Sequence, residues 1–304
     1  MELYQLRSFV AVAEAGHLSH AAERLHISQP AVSAQIKALE EELDLLLFER
    51  TSSGMVPTAA GQTLLAHAQK VLAAAQALRN QAKALKGEVA GRVRIGTMSD
   101  PGFIRIGEFL NATVERYPLL QMELHQEVTG EAFAKVRDGE LDASFYYGDL
   151  EHRLVSRLRL RGVNYRVAAP AAWKDRVIDA DWNAISALPW ITTPSISSHH
   201  KLVRELFDKH GAEPSKVVEA DQESVIANLV VSGVGLSLIR EELALEKAAA
   251  GEVCLWRDLR LETTLWFIYQ FARHDDLIIR SLLDVLRDTW KLGEDQAPPP
   301  RQRP

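Results

Sequence analysis

Seven apolar residues, Leu64, Ala68, Val71, Ala75, Leu78, Ala82 and Leu85, follow one another at spacings of 4-3-4-3-4-3. That repeat is the seam of a coiled coil, and it predicts one helix over residues 58–86. Such a helix of about 28 residues is about 40 Å long. The 57 residues before it cannot cover that length, so the seam reads as a homodimer contact made through 58–86. Its alanines let two helices approach closely, at a cost in buried area. The chain of 304 residues therefore divides around this helix. The expected parts are 1–57, the linker helix 58–86, a mixed region 87–292, and a polar, Pro-rich tail 293–304 that reads as disordered.

Residues 1–57 are short helical pieces with tight joints. Leu3, Leu6, Val10 and Ala13 recur at three- and four-residue spacing, which predicts an amphipathic helix ended by Gly16. Ser19 is placed to cap a second helix through Leu25, and His26-Ile27 form the joint. Ser28 caps a third helix, with Pro30 in its first turn, where a missing N–H costs little. That helix runs through Val32, Ile36, Leu39 and Leu43. Leu47-Phe48-Glu49-Arg50 and Met55-Val56-Pro57 then flank Thr51-Ser52-Ser53-Gly54 as a hairpin and its turn.

Two helices that cross steeply over a short turn must meet through a small residue, here Ala22. They lock through aliphatic ones, here Leu25, Ile27, Val32 and Ile36. The pattern is a helix-turn-helix with a wing. The second helix presents Ser28, Gln29, Ser33 and Gln35. Gln can bond two edges of adenine in the major groove, and Ser suits several bases. Lys37 and Arg50 stand where phosphates pass, and Ser52 and Ser53 sit at the wing tip. Glu40-Glu41-Glu42 reads as a solvated helix end, and His17, His20 and His26 as surface or joint residues.

Charge alone does not point to DNA. The net charge is −6, and residues 1–86 hold eight Lys/Arg against eight Asp/Glu, where a basic face is the usual footprint.

Residues 1–65 nevertheless resemble the LysR-type transcriptional regulators. The resemblance rests on Ala21-Ala22, Ser28-Gln29-Pro30-Ala31-Val32-Ser33, Ile36, Leu39-Glu40, Leu47-Phe48-Glu49-Arg50, Thr58 and Gly61 at this spacing. It implies a winged helix-turn-helix of all-α type, a linker helix, and a two-lobed periplasmic-binding-protein-like α/β sensing domain. It carries DNA contacts to Ser28, Gln29, Pro30, Ser33, Gln35, Lys37 and Arg50. Asp44 stands where the family commonly has Gly, and Asp tolerates the left-handed turn. The wing lacks the Arg often found there, so the expectation is modest non-specific affinity. The family also implies dimers that pair into a homotetramer, and a small-molecule effector that changes the angle between lobes.

In 87–292, strand patterns over 92–97, 121–128, 143–147, 166–169, 190–193 and 266–271 alternate with helical ones over 131–137, 199–209, 224–231, 240–249 and 277–290. Such alternation predicts βαβ units and mostly parallel sheets, in two lobes. The chain should pass between lobes near 147–154 and return near 266–271. Ligands of open α/β sheets gather where strands lead into helix N-termini. Three joints fit: Thr97-Met98-Ser99-Asp100, Thr129, and Thr193 with Ser197 and Ser198. Tyr146 is expected to line the cleft, and Gly233 to allow close backbone approach. Hydroxyls and helix starts favour an organic anion. Asp100 opposes one unless it caps its own helix, and otherwise makes a zwitterion attractive.

Several function classes are excluded or disfavoured. The one cysteine, Cys254, allows no intramolecular disulfide and no Cys-based zinc cluster, and reads as a small buried hydrophobe. His199-His200 are helix neighbours about 100° apart, a poor metal pair. No P-loop, G-x-S-x-G or H-E-x-x-H is present, so neither an enzyme nor a cofactor or metal is expected. No signal-peptide pattern opens the sequence and no window is long enough to span a membrane, so the expectation is cytoplasmic. The rival reading is a cytoplasmic solute-binding or enzymatic α/β protein whose N-terminal segment serves assembly only.

Overall fold

The computed structural model describes residues 1–51, 54–84, 89–98 and 100–293, the side chains of 73, 76, 77 and 79–84 apart. Two compact units are present, Met1–Val89 and a second built from Ala90–Arg137 and Leu141 onward.

The first unit contains α1 (Leu3–Ala15), α2 (Leu18–Leu25), α3 (Gln29–Leu43), β1 (Phe48–Thr51), β2 (Gly54–Pro57) and α4 (Ala59–Ala84). Gly16 ends α1 in the left-handed region at φ 68°. His26 and Asp44 end α2 and α3 in the same way, both at φ 53°. Ser28 Oγ accepts from the Ala31 N–H at 3.3 Å, so the expected cap of α3 is in place. Ser19 does not cap α2. The helix starts two residues earlier than that cap implies, at Leu18, with His17 at the cap position and no side-chain cap bond.

Phe9, Val12, Ala21, Val32, Leu39 and Leu47 form a core with almost no exposure. Phe9 and Phe48 meet edge to face at 5.5 Å, which pins the hairpin to α1. Glu40 is not part of a solvated helix end. Its Oε1 accepts from the N–H groups of Leu47 and Phe48 at 2.7 and 3.3 Å and orders the chain entering β1. Glu41 and Glu42 are exposed.

Thr58 and Gly61 make the corner into α4. Thr58 Oγ1 donates to the Leu46 carbonyl and accepts from the Gly61 N–H, at 2.7 and 2.9 Å. A Cβ on Gly61 would lie 2.1 Å from the Leu47 carbonyl oxygen, a backbone atom that cannot step aside. Overpacking of this kind costs about 1–3 kcal/mol, against a helix-propensity gain of about 1 kcal/mol. Gly61→Ala should therefore lower the denaturation midpoint, although Gly→Ala inside a helix ordinarily raises it. An unchanged or higher midpoint would show that the corner opens freely.

The linker helix serves its own unit first. Ala68 is 5% exposed, and Leu64, Leu65 and Leu72 pack on the core of this unit. Two of the seam residues, Leu64 and Ala68, are therefore engaged within the chain. Further along, Val71 and Leu78 are 41% and 73% exposed. Leu85 lies outside the described residues.

The second unit contains β3 (Gly91–Thr97), α5 (Ile106–Arg116), β4 (Leu120–Gln126), α6 (Thr129–Asp138), β5 (Ala143–Tyr147) and β6 (Val155–Pro170). After these come α7 (Lys174–Val177), α8 (Trp182–Ala187), β7 (Pro189–Thr192), α9 (Ser198–Asp208), β8 (Ser215–Glu219) and α10 (Glu223–Val231). It closes with β9 (Ser237–Arg240), α11 (Glu241–Ala249), β10 (Val253–Leu255), β11 (Leu261–Gln270) and α12 (Leu277–Trp290).

The main sheet runs β10-β6-β11-β5-β3-β4, with β9 also on β6, and β7 pairs β8 separately. The expectation of mostly parallel strands is corrected here. Among the described strands, β3 with β4, β3 with β5, and β7 with β8 are parallel, and the described pairings of β6 and β11 are antiparallel. The cause is the length of β6 and β11, 16 and 10 residues, which run side by side in opposite directions. β6 is bulged at Leu160, opposite the Leu265–Trp266 step of β11. On one side of that point, the Phe109, Phe145 and Phe267 rings cluster at 5.3–6.2 Å in the first lobe. On the other, Trp190, Phe207 and Trp256 are buried in the second lobe, with the Trp190 and Phe207 rings 5.0 Å apart.

Candidate functional site

In the first unit, α3 carries a two-sided pattern. Val32, Ile36 and Leu39 are buried, whereas Ser28, Gln29, Pro30 and Lys37 are exposed and Ser33 is half-buried. Positions 29, 33 and 37 follow at four-residue spacing along one outward face. Lys37 lies 3.4 Å from Glu41 in an exposed pair of little energetic weight. Arg50 is exposed on β1. Gln35 differs from its expected role. It is half-buried, and its Oε1 accepts from Ser8 Oγ, which fastens α3 to α1. Ser52 and Ser53 lie outside the described residues.

In the second unit a cavity of about 400 Å³ lies between the lobes. Met98, Asp100, Thr129, Thr193, Ser197 and Ser198 line it, as expected from the three strand-to-helix joints. Ser197 caps α9, its Oγ accepting from the His200 N–H at 3.0 Å. Thr129 at the start of α6 and Ser198 at the start of α9 meet across the cavity, their hydroxyls 3.2 Å apart. Two helix N-termini thus converge there.

Three expected residues are elsewhere. Thr97 ends β3 outside the lining, and its hydroxyl turns to the Met98 carbonyl at 3.4 Å. Tyr146 faces away and packs with Phe133 against Val136, Leu141 and Leu150. Its neighbour Tyr147 lines the cavity, because successive side chains of a strand point to opposite faces. Gly233 is exposed in the turn after α10, where φ of 87° calls for glycine and nothing lies near a Cβ. The close backbone approach is at Gly235, where a Cβ would lie 2.6 Å from the Pro189 carbonyl oxygen. Ser99 lies outside the described residues.

Sequence reasoning missed Glu127, Glu131, Tyr165, Asp221 and Glu223, all in the lining. Asp100 is not available as a plain amine ligand. Its Oδ1 accepts from the Phe103 N–H at 3.0 Å, a local turn ahead of α5, and its Oδ2 pairs with Arg240 Nη2. Burial pushes the Asp100 carboxyl up. The Phe103 N–H and the Arg240 guanidinium outweigh this and hold it below the usual range. Glu223, also beside Arg240, goes the other way, because burial raises it more than Arg240 lowers it. Arg240 itself lies over the Phe103 ring at 3.6 Å and is 7% exposed.

Burial likewise pushes the Tyr147 and Tyr165 phenols up and the His199 imidazole down. His199 Nε2 and the Leu238 carbonyl are 2.8 Å apart, and His200 Nδ1 and the Thr193 carbonyl 3.0 Å apart. The two histidines therefore fasten α9 to β9 and to the loop after β7. No group of three metal-ligating side chains occurs among the described residues. Cys254 is half-buried on β10, with Sγ 3.4 Å from the Pro170 carbonyl oxygen.

Comparison with known proteins decides the family. Residues 3–62 match the model of the bacterial regulatory helix-turn-helix protein, lysR family, and residues 86–291 match the LysR substrate binding domain.

The chain belongs to the LysR family.

Over 247 residues it is 31% identical to the HTH-type transcriptional regulator BenM of Acinetobacter baylyi, spanning 79% of this chain and 80% of that one. A full-length OxyR variant from Pseudomonas aeruginosa superposes with a TM-score of 0.70 at 26% identity, over 100% of this chain and 99% of that one. CbnR solved in complex with its target DNA shares the fold, with a TM-score of 0.63 at 22% identity over 95% and 100% of the two chains. This LysR-family chain is a DNA-binding transcription regulator with an effector-binding domain, and not an enzyme. None of its described helices is long and apolar enough to cross a membrane.

Proposed function

We propose that this regulator reads DNA with Ser28, Gln29, Pro30 and Ser33 in the major groove and holds phosphates with Lys37 and Arg50. In this reading it acts in the cytoplasm as a dimer paired through α4, two dimers forming a tetramer. A small-molecule effector, an organic anion or a zwitterion, sits between the lobes and alters the spacing of the DNA-binding units. The observation that carries the reading is the outward face of α3, polar and exposed over a fully buried inner face. Effector control requires different effector affinity in the two assembly states. Footprinting on the DNA upstream of its own gene tests it, and a protected site in two parts is expected. No protection at low salt by folded protein would count against this binding mode there.

The dimer has its own test. Val71 and Leu78 sit on the exposed stretch of α4 at seam positions. Val71→Asp with Leu78→Asp should convert the particle to a smaller species in light scattering at micromolar concentration. An unchanged mass would place the dimer contact on another surface.

A further inference from the structure

The cavity between the lobes has a distinctive charge. Five of its lining residues, Asp100, Glu127, Glu131, Asp221 and Glu223, carry carboxylates, and none of the described lining residues is Lys or Arg. Glu127 is answered by Lys135, whose Nζ lies 2.6 and 2.7 Å from its two oxygens. Asp100 and Glu223 share Arg240. Glu131, in the first turn of α6, and Asp221, just before α10, are exposed and have no ion-pair partner among the described residues. Five carboxylates thus stand against two cations. A cleft of one sign with low-dielectric walls concentrates the opposite charge and repels its own.

A second feature is the meeting of two helix N-termini at this cavity, α6 at Thr129 and α9 at Ser198, whose hydroxyls lie 3.2 Å apart. Helix N-termini favour a negative group through their unpaired N–H donors.

We infer that the effector of this cleft is a compact molecule bearing an ammonium group together with a carboxylate, as in an α-amino acid. The inference rests on the cleft being the effector site. The ammonium answers the excess of carboxylates, with Glu131 and Asp221 at the mouth. The carboxylate accepts from the Thr129 and Ser198 hydroxyls at the two helix starts. A dianion, which the hydroxyls and helix starts alone would suit, meets three uncompensated negative charges. The cavity is at the small end of ligand pockets, whose volumes run roughly from 300 to 1,000 Å³.

The test is calorimetric titration of the purified full-length protein with matched sets of three. Each set is an α-amino acid, the 2-oxo acid that lacks its amine, and the amine that lacks its carboxylate, taken across the twenty common side chains. At least one amino acid should bind, at least tenfold tighter than its oxo acid and its amine. Asp221→Asn combined with Glu131→Gln should weaken that binding at least fivefold. Both positions are exposed, so an unchanged melting temperature is expected to certify the fold. An oxo acid binding as well as its amino acid overturns the ammonium requirement but leaves the cleft as the site, provided Ser198→Phe, which fills it, abolishes binding. Binding that survives Ser198→Phe overturns the inference and the cleft together. No binding by any amino acid overturns the zwitterion.

Discussion

Replacing Gln29 and Ser33 together by alanine abolishes site-specific protection of DNA and leaves the protein folded and assembled: that is the expected result with the largest effect on function. The side chains stand four residues apart on the outward face of α3, whose inner face is filled by Val32, Ile36 and Leu39. Neither is needed to hold the helix, because Ser28 supplies its cap and Glu40 orders the chain that follows it. A good bidentate contact to a base is worth about 1–3 kcal/mol. Each 1.4 kcal/mol is a factor of ten, and a dimer loses the contact at both half-sites. The operator affinity should fall by about a hundredfold or more, while affinity for scrambled DNA, set by phosphate contacts, hardly moves. Fluorescence anisotropy on the two DNAs separates these. An equal fall on both would mean that the pair acts on the backbone and that bases are read elsewhere.

The largest expected effect on stability is at Arg240. Its guanidinium, 7% exposed, ties Asp100 on the loop after β3 to Glu223 at the start of α10, and so joins the two lobes. Arg240→Ala leaves two partly buried carboxylates without a counter-charge and removes the group stacked on Phe103. Breaking a buried pair by removing one partner costs about 3–5 kcal/mol. For a domain of this size each kcal/mol is worth about 2–4 °C, so the melting temperature at pH 7 should drop by roughly 10 °C. Adding Asp100→Asn and Glu223→Gln should restore much of the loss, since the cost lies in the stranded charges more than in missing contact. A single variant within 1 kcal/mol of the parent would show that water reaches this cluster and screens it.

Much of this was legible because local chemistry decided it. Gly16 and Asp44 are placed by backbone conformation, Ser28 by an N–H that needs an acceptor, and the α3 pattern by period. The final helix, Leu277–Trp290, carries its capping Asp276 in front of it and matches its expected limits. Three failures have distinct causes. The cavity is lined by Tyr147 and not by Tyr146, and two adjacent tyrosines say nothing in sequence about which face of β5 meets the cleft.

The first half of β6 went unread although its signal is present. Leu158 and Leu160 are buried and Arg157, Arg159 and Arg161 are not, a clean alternation that the arginines disguise as a loop. The acidic character of the lining is set by the fold. Glu127 and Glu131 flank the β4–α6 joint, Asp221 and Glu223 belong to the β8–α10 joint, and only the fold brings the two joints to one cavity.

The paired strands β6 and β11 have a consequence for how this domain can be taken apart. Leu158 pairs with Phe267 and Arg159 with Trp266, just beside the bulge. The chain leaves the first lobe on β6 and returns on β11 at neighbouring ladder positions, about 5 Å apart. That is the gap closed by any tight turn of a hairpin. Topologically the second lobe is a guest spliced into a host, and the host's continuity never depends on it. Severing a single peptide bond in the guest frees neither half, whereas excising the guest and rejoining the doorway leaves the host with an unbroken ladder and its own C-terminal helix.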